Sequence, residues 1–131
     1  MKLRVRCIVA GTRTFDNYNL LVRTLGQLFM EKGLFPSDIE IISGGAEGAD
    51  ELGERFADFF KDKGLKLKVM KADWDRQGNS AGYIRNTEMA MYAKSNPDGI
   101  CVVFWDGLSD GSRNMIKIAE KAGLEVHVIR Y

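Results

Sequence analysis

Four short stretches of this chain hold the residues best suited to chemistry. They are Gly11-Thr12-Arg13, Ser43-Gly44-Gly45-Ala46-Glu47-Gly48-Ala49-Asp50, Arg85-Asn86, and Asp106-Gly107 with Ser109, Gly111 and Ser112. Glycine lets backbone come close to a ligand because no Cβ obstructs it. A helix beginning directly after such a turn offers unpaired N–H groups and the positive end of its dipole, where an anion is stabilised. Gly44, Gly45 and Gly48 are therefore expected to present N–H groups to a phosphate. Asp50 would cap the helix or hold a ribose hydroxyl. The same residues also build a strand-to-helix turn without any ligand, so this stretch alone does not decide between the two. Arg13 and Arg85 carry guanidiniums suited to phosphate or carboxylate. Each has a plainer alternative: a solvated loop for Arg13, and a pair with Glu88 at the (i, i+3) spacing for Arg85.

The elements that must position these residues follow from apolar periodicity. Leu3 to Ala10 and Ile39 to Ile42 read as buried strands, and Ile100 to Trp105 is a continuous apolar run. Leu65 to Met70 alternates with outward lysines, as an edge strand does. Leu124 to Ile129 closes the series. Helices are expected over Asn17–Lys32, Ala49–Lys63, Tyr83–Lys94 and Ser112–Lys121, with apolar residues sharing one face of each. Ala72 to Gly82 is the longest loop, and its Trp74 would either stack on a base or cover the core. Asn96-Pro97-Asp98-Gly99 reads as a turn.

Strands and helices thus alternate as βαβαβαβαβ over 131 residues, one domain of ordinary size. The expected fold class is α/β, a single Rossmann-like doubly wound parallel sheet in order 3-2-1-4-5 with helices on both faces. Winding then reverses between the first and fourth strands, and ligands bind at the carboxyl ends beside that switch point. All four stretches would face that crevice.

Composition narrows the function classes. A net charge of +1 gives no basic field, which disfavours nucleic acid as a partner. No apolar run is long enough to span a membrane, and the first residues lack a signal peptide's apolar core, so a cytoplasmic protein is expected. Cys7 and Cys101 lie in separate apolar runs and read as buried thiols. His127 is the lone histidine, so neither a metal site nor a Ser-His-Asp triad is expected. No cofactor is called for. A Walker P-loop ending in Gly-Lys-Ser/Thr is absent, as is Gly-x-Gly-x-x-Gly after the first strand. A homo-oligomer is compatible with these features.

Taken together, Gly11-Thr12-Arg13, Ser43 to Asp50, Ile84-Arg85-Asn86-x-x-Met89 and Asp106-Gly107-x-x-x-Gly111-Ser112 resemble the YspA/YpsA-related branch of the SLOG superfamily, to which the SMF/DprA and LOG proteins belong. The resemblance spans nearly the whole chain. It implies a Rossmann-like fold whose glycine loops hold a nucleotide or nucleotide-derived small molecule, in proteins often found in bacteria, phages and mobile elements. LOG enzymes hydrolyse nucleoside monophosphates, with a motif resembling Gly-Gly-x-Gly-Thr-x-x-Glu. Gly111-Ser112 match its Gly-Thr pair, which puts Met115 at the glutamate position. A thioether neither binds a ribose hydroxyl strongly nor acts as acid or base. A ligand-binding or sensing domain is therefore expected ahead of a LOG-like nucleotide N-glycosidase, whose catalytic residues would be unknown. A carboxylate restored at position 115 would point from the first helical turn into the crevice and could confer weak hydrolysis. DprA-like relatives imply a third option, a single-stranded DNA module using Trp74, Arg76 and the lysine-rich third strand.

Overall fold

A computed structural model describes residues 3–95 and 98–131. Its elements are β1 (Val5–Gly11), α1 (Tyr18–Glu31), β2 (Ile39–Ser43), α2 (Ala49–Phe59), β3 (Lys66–Val69), α3 (Trp74–Gln77), α4 (Ala81–Lys94), β4 (Asp98–Trp105), α5 (Asp110–Lys121) and β5 (Glu125–Arg130). Asn96 and Pro97, where a turn was expected, lie outside the described residues. The five strands form one sheet in the order β3-β2-β1-β4-β5, and each neighbouring pair is parallel. This is the doubly wound arrangement expected from the apolar pattern.

Alternation along each strand divides the core in two. Val5, Cys7 and Val9 of β1, with Ile100, Val102 and Phe104 of β4, pack against Leu21, Leu25 and Phe29 of α1 and Phe56 of α2. Ile8, Ala10, Cys101 and Val103 face the other way, onto Met89, Ala90 and Ala93 of α4 and Met115 and Ala119 of α5. Cys7 and Cys101 therefore lie on opposite faces and are free thiols. Burial pushes both thiols up, that of Cys101 to about 12, which makes them poor nucleophiles. Gly53 is where α2 comes closest to the sheet: a Cβ there would lie 2.8 Å from Val9 Cγ1.

Several boundaries differ from the sequence reading: β4 begins at Asp98, so Asp98 and Gly99 are strand and not turn, and α5 begins at Asp110 rather than Ser112. The segment expected as a long loop is largely helical, because the Asp73 carboxylate accepts the Arg76 N–H at 3.2 Å and caps α3. α4 consequently begins at Ala81 rather than Tyr83. At its far end α2 stops at Phe59, and a 3-10 turn, Lys61–Lys63, leads into left-handed Gly64. On β3 both lysines are exposed as expected, but Leu67 is uncovered too. It lies at the sheet edge, which blunts its inward role.

Candidate functional site

The loops after β1 and β4 are bolted together at the carboxyl edge of the sheet. Thr12 N–H donates to the Phe104 carbonyl at 2.9 Å, and the buried Thr12 Oγ1 accepts the Asp106 N–H at 3.1 Å. Gly11 permits this close approach, since a Cβ on it would run into the Phe104 carbonyl oxygen. Arg13 follows on the exposed side of the loop.

The loop after β2 differs from the phosphate cradle expected of it. Gly45 N–H donates to Ser43 Oγ at 3.1 Å, and Ala46 N–H donates to Asp50 Oδ2 at 3.2 Å. Ser43 is fully buried, and its hydroxyl donates to Glu54 Oε2 at 2.6 Å. The amides of Gly45 and Ala46 are thus occupied by the protein's own hydroxyl and carboxylate. Gly48 serves packing: it lies against the Thr12 and Arg13 carbonyls, and Ala49 N–H donates to Thr12 O at 3.3 Å. Ser43 and Gly48 therefore position the loop and line neither chamber of the crevice described below.

Asp50 is only 5% exposed. Burial pushes its carboxyl up to about 6, against the opposing pull of the Ala46 N–H and the Arg85 charge. Its folded value lies above its unfolded one. Its contribution to stability is then fully present below pH 4 and is lost as pH rises through 6. The penalty above that range is on the order of 2–3 kcal/mol. Asp50→Asn is accordingly expected to gain on the wild type in urea melts as pH is raised from 4 to 7.5. A loss of stability that grows as pH is raised would mean that the carboxylate is net paired.

Arg85 is the fifth residue of α4, in its second turn rather than its first. Its Nη1 donates to Gly44 O at 2.5 Å and its Nε to Asn86 Oδ1 at 3.1 Å. The expected alternative partner, Glu88, forms no ion pair with it. Burial lowers the proton affinity of Arg85, Asp50 raises it, and the nearby Arg13 guanidinium lowers it again. Asn86 is buried and its donors go to Asn114 Oδ1 at 3.0 Å and Gly111 O at 3.4 Å. It ties α4 to α5 and steadies Arg85.

After β4, Asp106 Oδ1 accepts the N–H groups of Leu108 and Ser109 at 2.8 and 2.9 Å. Those amides hold its carboxyl below the usual carboxylate range. Ser109 Oγ is buried and has no hydrogen-bond partner among the described residues. Ser112 is buried, and Gly107 turns away from the crevice against Arg130. Because α5 starts at Asp110, Met115 stands in its second turn, 1% exposed, instead of projecting from the first.

Between these loops lies a crevice of about 420 Å³, within the roughly 300–1,000 Å³ typical of small-molecule sites. Gly11, Thr12 and Arg13 line one side, Ala46 and Asp50 another, and Arg85 and Asn86 a third; Asp106, Ser109, Gly111 and Ser112 complete it. A second chamber of about 350 Å³ adjoins it, and Gly44 and Gly45 line that one. Trp74, half exposed, borders both chambers and does not cover the core. The sequence reading missed Tyr83, Asn79 and Lys71 as lining residues, and Glu54 and Asn114 as supports. Glu54 alone left a trace, standing four residues after Asp50 on one helix face. Among the described residues no group of three His, Cys, Asp or Glu side chains is placed to hold a metal ion, and no helix is long and apolar enough to cross a membrane.

A switch-point crevice ringed by these glycine loops and two arginines agrees with the family comparison. The chain belongs to the YspA, cpYpsA-related SLOG family (YAcAr), whose model matches residues 5–77. The match contains the first two of the four stretches, from β1 to α3. Membership suggests a nucleotide-related binding role or a LOG-like one. The chain is also similar to the Gene 61 protein of Mycobacterium phage D29, with 30% identity over 123 residues, covering 92% of this chain and 93% of the phage protein. No solved structure matches it.

Proposed function

We propose that the chain binds a nucleotide or nucleotide-derived small molecule in this crevice, as a binding or sensing domain. One observation carries the reading. Arg13 and Arg85 both line the crevice, and among the described residues neither has a carboxylate within ion-pairing distance, Asp50 being close enough only to act on Arg85 through its field. Two guanidiniums at a switch point, neither in a direct ion pair, favour an anion such as phosphate. Trp74 and Tyr83 offer aromatic surface for a base. The Ser109 hydroxyl, unpartnered among the described residues, can supply a further hydrogen bond to the ligand. With the Gly45 and Ala46 amides engaged, side chains would do most of the phosphate binding.

Arg13→Ala gives the cleaner test, because this exposed side chain makes no hydrogen bond or ion pair among the described contacts. Calorimetric titration with whichever nucleotide a thermal-shift screen selects is expected to show binding weakened by roughly 1.5–3 kcal/mol, with the apo melting temperature unchanged. Arg85→Ala is expected to weaken binding similarly, and also to lower apo stability through lost contacts to Gly44 and Asn86. Unaltered affinity in both variants would put the ligand elsewhere.

One observation favours a LOG-like phosphoribohydrolase as second reading. Asp50 is a crevice carboxyl pushed up to about 6, a property frequent in catalytic acids and bases. Base release from nucleoside monophosphates by the wild type, lost in Asp50→Asn, would establish it in place of the binder.

A further inference from the structure

The crevice has two chambers, and their division identifies the ligand more narrowly. Arg13, Ala46, Trp74 and Arg85 line both, so the two guanidiniums stand at the junction. The larger chamber has hydroxyls, an aromatic wall and an apolar floor of Met89 and Met115. The smaller is walled by Gly44, Gly45, Glu47 and Lys71. Lys71 emerges just past the end of β3, and its chain lies along Gly45, where an added Cβ would be 2.7 Å from Lys71 Cγ. Like the two arginines, Lys71 has no carboxylate within ion-pairing distance among the described residues.

Charge complementarity then sets the number of phosphates. The second chamber gathers three cations, Arg13, Arg85 and Lys71, against one exposed carboxylate, Glu47. A single phosphate at the junction would be matched by the two guanidiniums. It would leave Lys71 facing an empty space large enough for another group. A phosphoanhydride places a second phosphate beyond the first, where an ammonium serves as a point charge without demanding bidentate geometry. We infer that the second chamber seats a second phosphate, with Lys71 as its cation, and that the chain selects nucleoside diphosphates and diphosphate-linked nucleotides over nucleoside monophosphates. This inference rests on the nucleotide-binding reading above.

The test is calorimetric titration of the full chain with the mono- and diphosphates of adenosine, guanosine, cytidine and uridine, and with ADP-ribose. For at least one base the diphosphate is expected to bind ten times or more tighter than its own monophosphate. Lys71→Ala should reduce that diphosphate's affinity at least fivefold more than the monophosphate's. Equal affinities for the two in the wild type, or a preference that survives Lys71→Ala, would overturn the second seat and leave nucleotide binding standing. Failure of every compound to bind at millimolar concentration would overturn the nucleotide reading, and this inference with it. Melting curves of Lys71→Ala check that the exposed substitution leaves the fold intact.

Discussion

Met115→Glu is expected to cost the fold about 4 kcal/mol at neutral pH and to confer no hydrolysis. The family resemblance places Met115 where LOG enzymes carry their glutamate, which makes this the obvious substitution for restoring catalysis. The surroundings oppose it. Met115 is 1% exposed at the apolar floor of the crevice and packs in the cluster containing Ile8, Ala10, Met89 and Val103, where the Met89 thioether is at best a weak acceptor. A carboxyl there loses the packing of the thioether and gains no strong partner from those neighbours. Burial drives its proton affinity up. The folded pKa then exceeds the unfolded one, so the destabilisation is smallest below about pH 4 and grows as pH rises. Urea melts at pH 5 and pH 8 should show the larger loss at pH 8. Met115→Gln should be destabilised too, but equally at both. If Met115→Glu matches the wild type at pH 8, the site is wetter than its packing implies. Base release by the variant would show that a carboxyl at the crevice floor can act on a bound nucleotide and would restore the LOG comparison.

The same residue shows where sequence reading succeeds and where it stops. The faces of the helices and the buried strands were legible because apolar spacing encodes them directly: Leu21, Leu25 and Phe29 bury one side of α1, and Ile39, Ile41 and Ile42 fill β2; strand order followed from the alternation of strands and helices as the simplest arrangement. The location of the crevice followed from topology, since a reversal of winding needs no side-chain detail. Polar segments were harder. Trp74 to Gln77 has no apolar period, and only the cap from Asp73 makes it helical. That one shift starts α4 earlier and moves Arg85 from the first turn to the second. Contacts between distant residues left no local signal at all. Arg6 pairs with Glu40 at 2.9 Å across neighbouring strands, and Tyr92 donates to that same carboxylate at 2.7 Å from α4. Asn86 meeting Asn114 is a pairing of the same kind. The glycine loop after β2 was correctly read as a tight turn between strand and helix. What its sequence hid is that Asp50, four residues downstream of Ala46, reaches back to take an amide itself.

Gly48→Ala should destabilise the protein by about 4 kcal/mol, whereas Gly26→Ala should stabilise it by roughly 0.5–1 kcal/mol. The chemical change is identical, so the contrast isolates position. Gly26 lies within α1 with nothing inside 4 Å of an added Cβ, and alanine there relieves glycine's helix penalty. Gly48 sits at the start of α2 with φ 77° and ψ −124°, a conformation that L side chains rarely adopt. Its added Cβ would also overlap the carbonyl oxygens of Thr12 and Arg13. Those are backbone atoms held by Thr12 N–H on Phe104 and by Ala49 N–H on Thr12, so they cannot swing aside as a lysine tip would. Relief requires the β1 and β2 loops to part, which breaks the Ala49–Thr12 bond and displaces Arg13 from Arg85. Thermal melts of the two variants beside the wild type decide the matter. Gly48→Ala is expected to lose affinity along with stability, because the guanidinium pair is assembled across that contact. A Gly48→Ala protein that melts with the wild type would show that the two loops move independently, and that Arg13 needs no support from α2 to face the crevice.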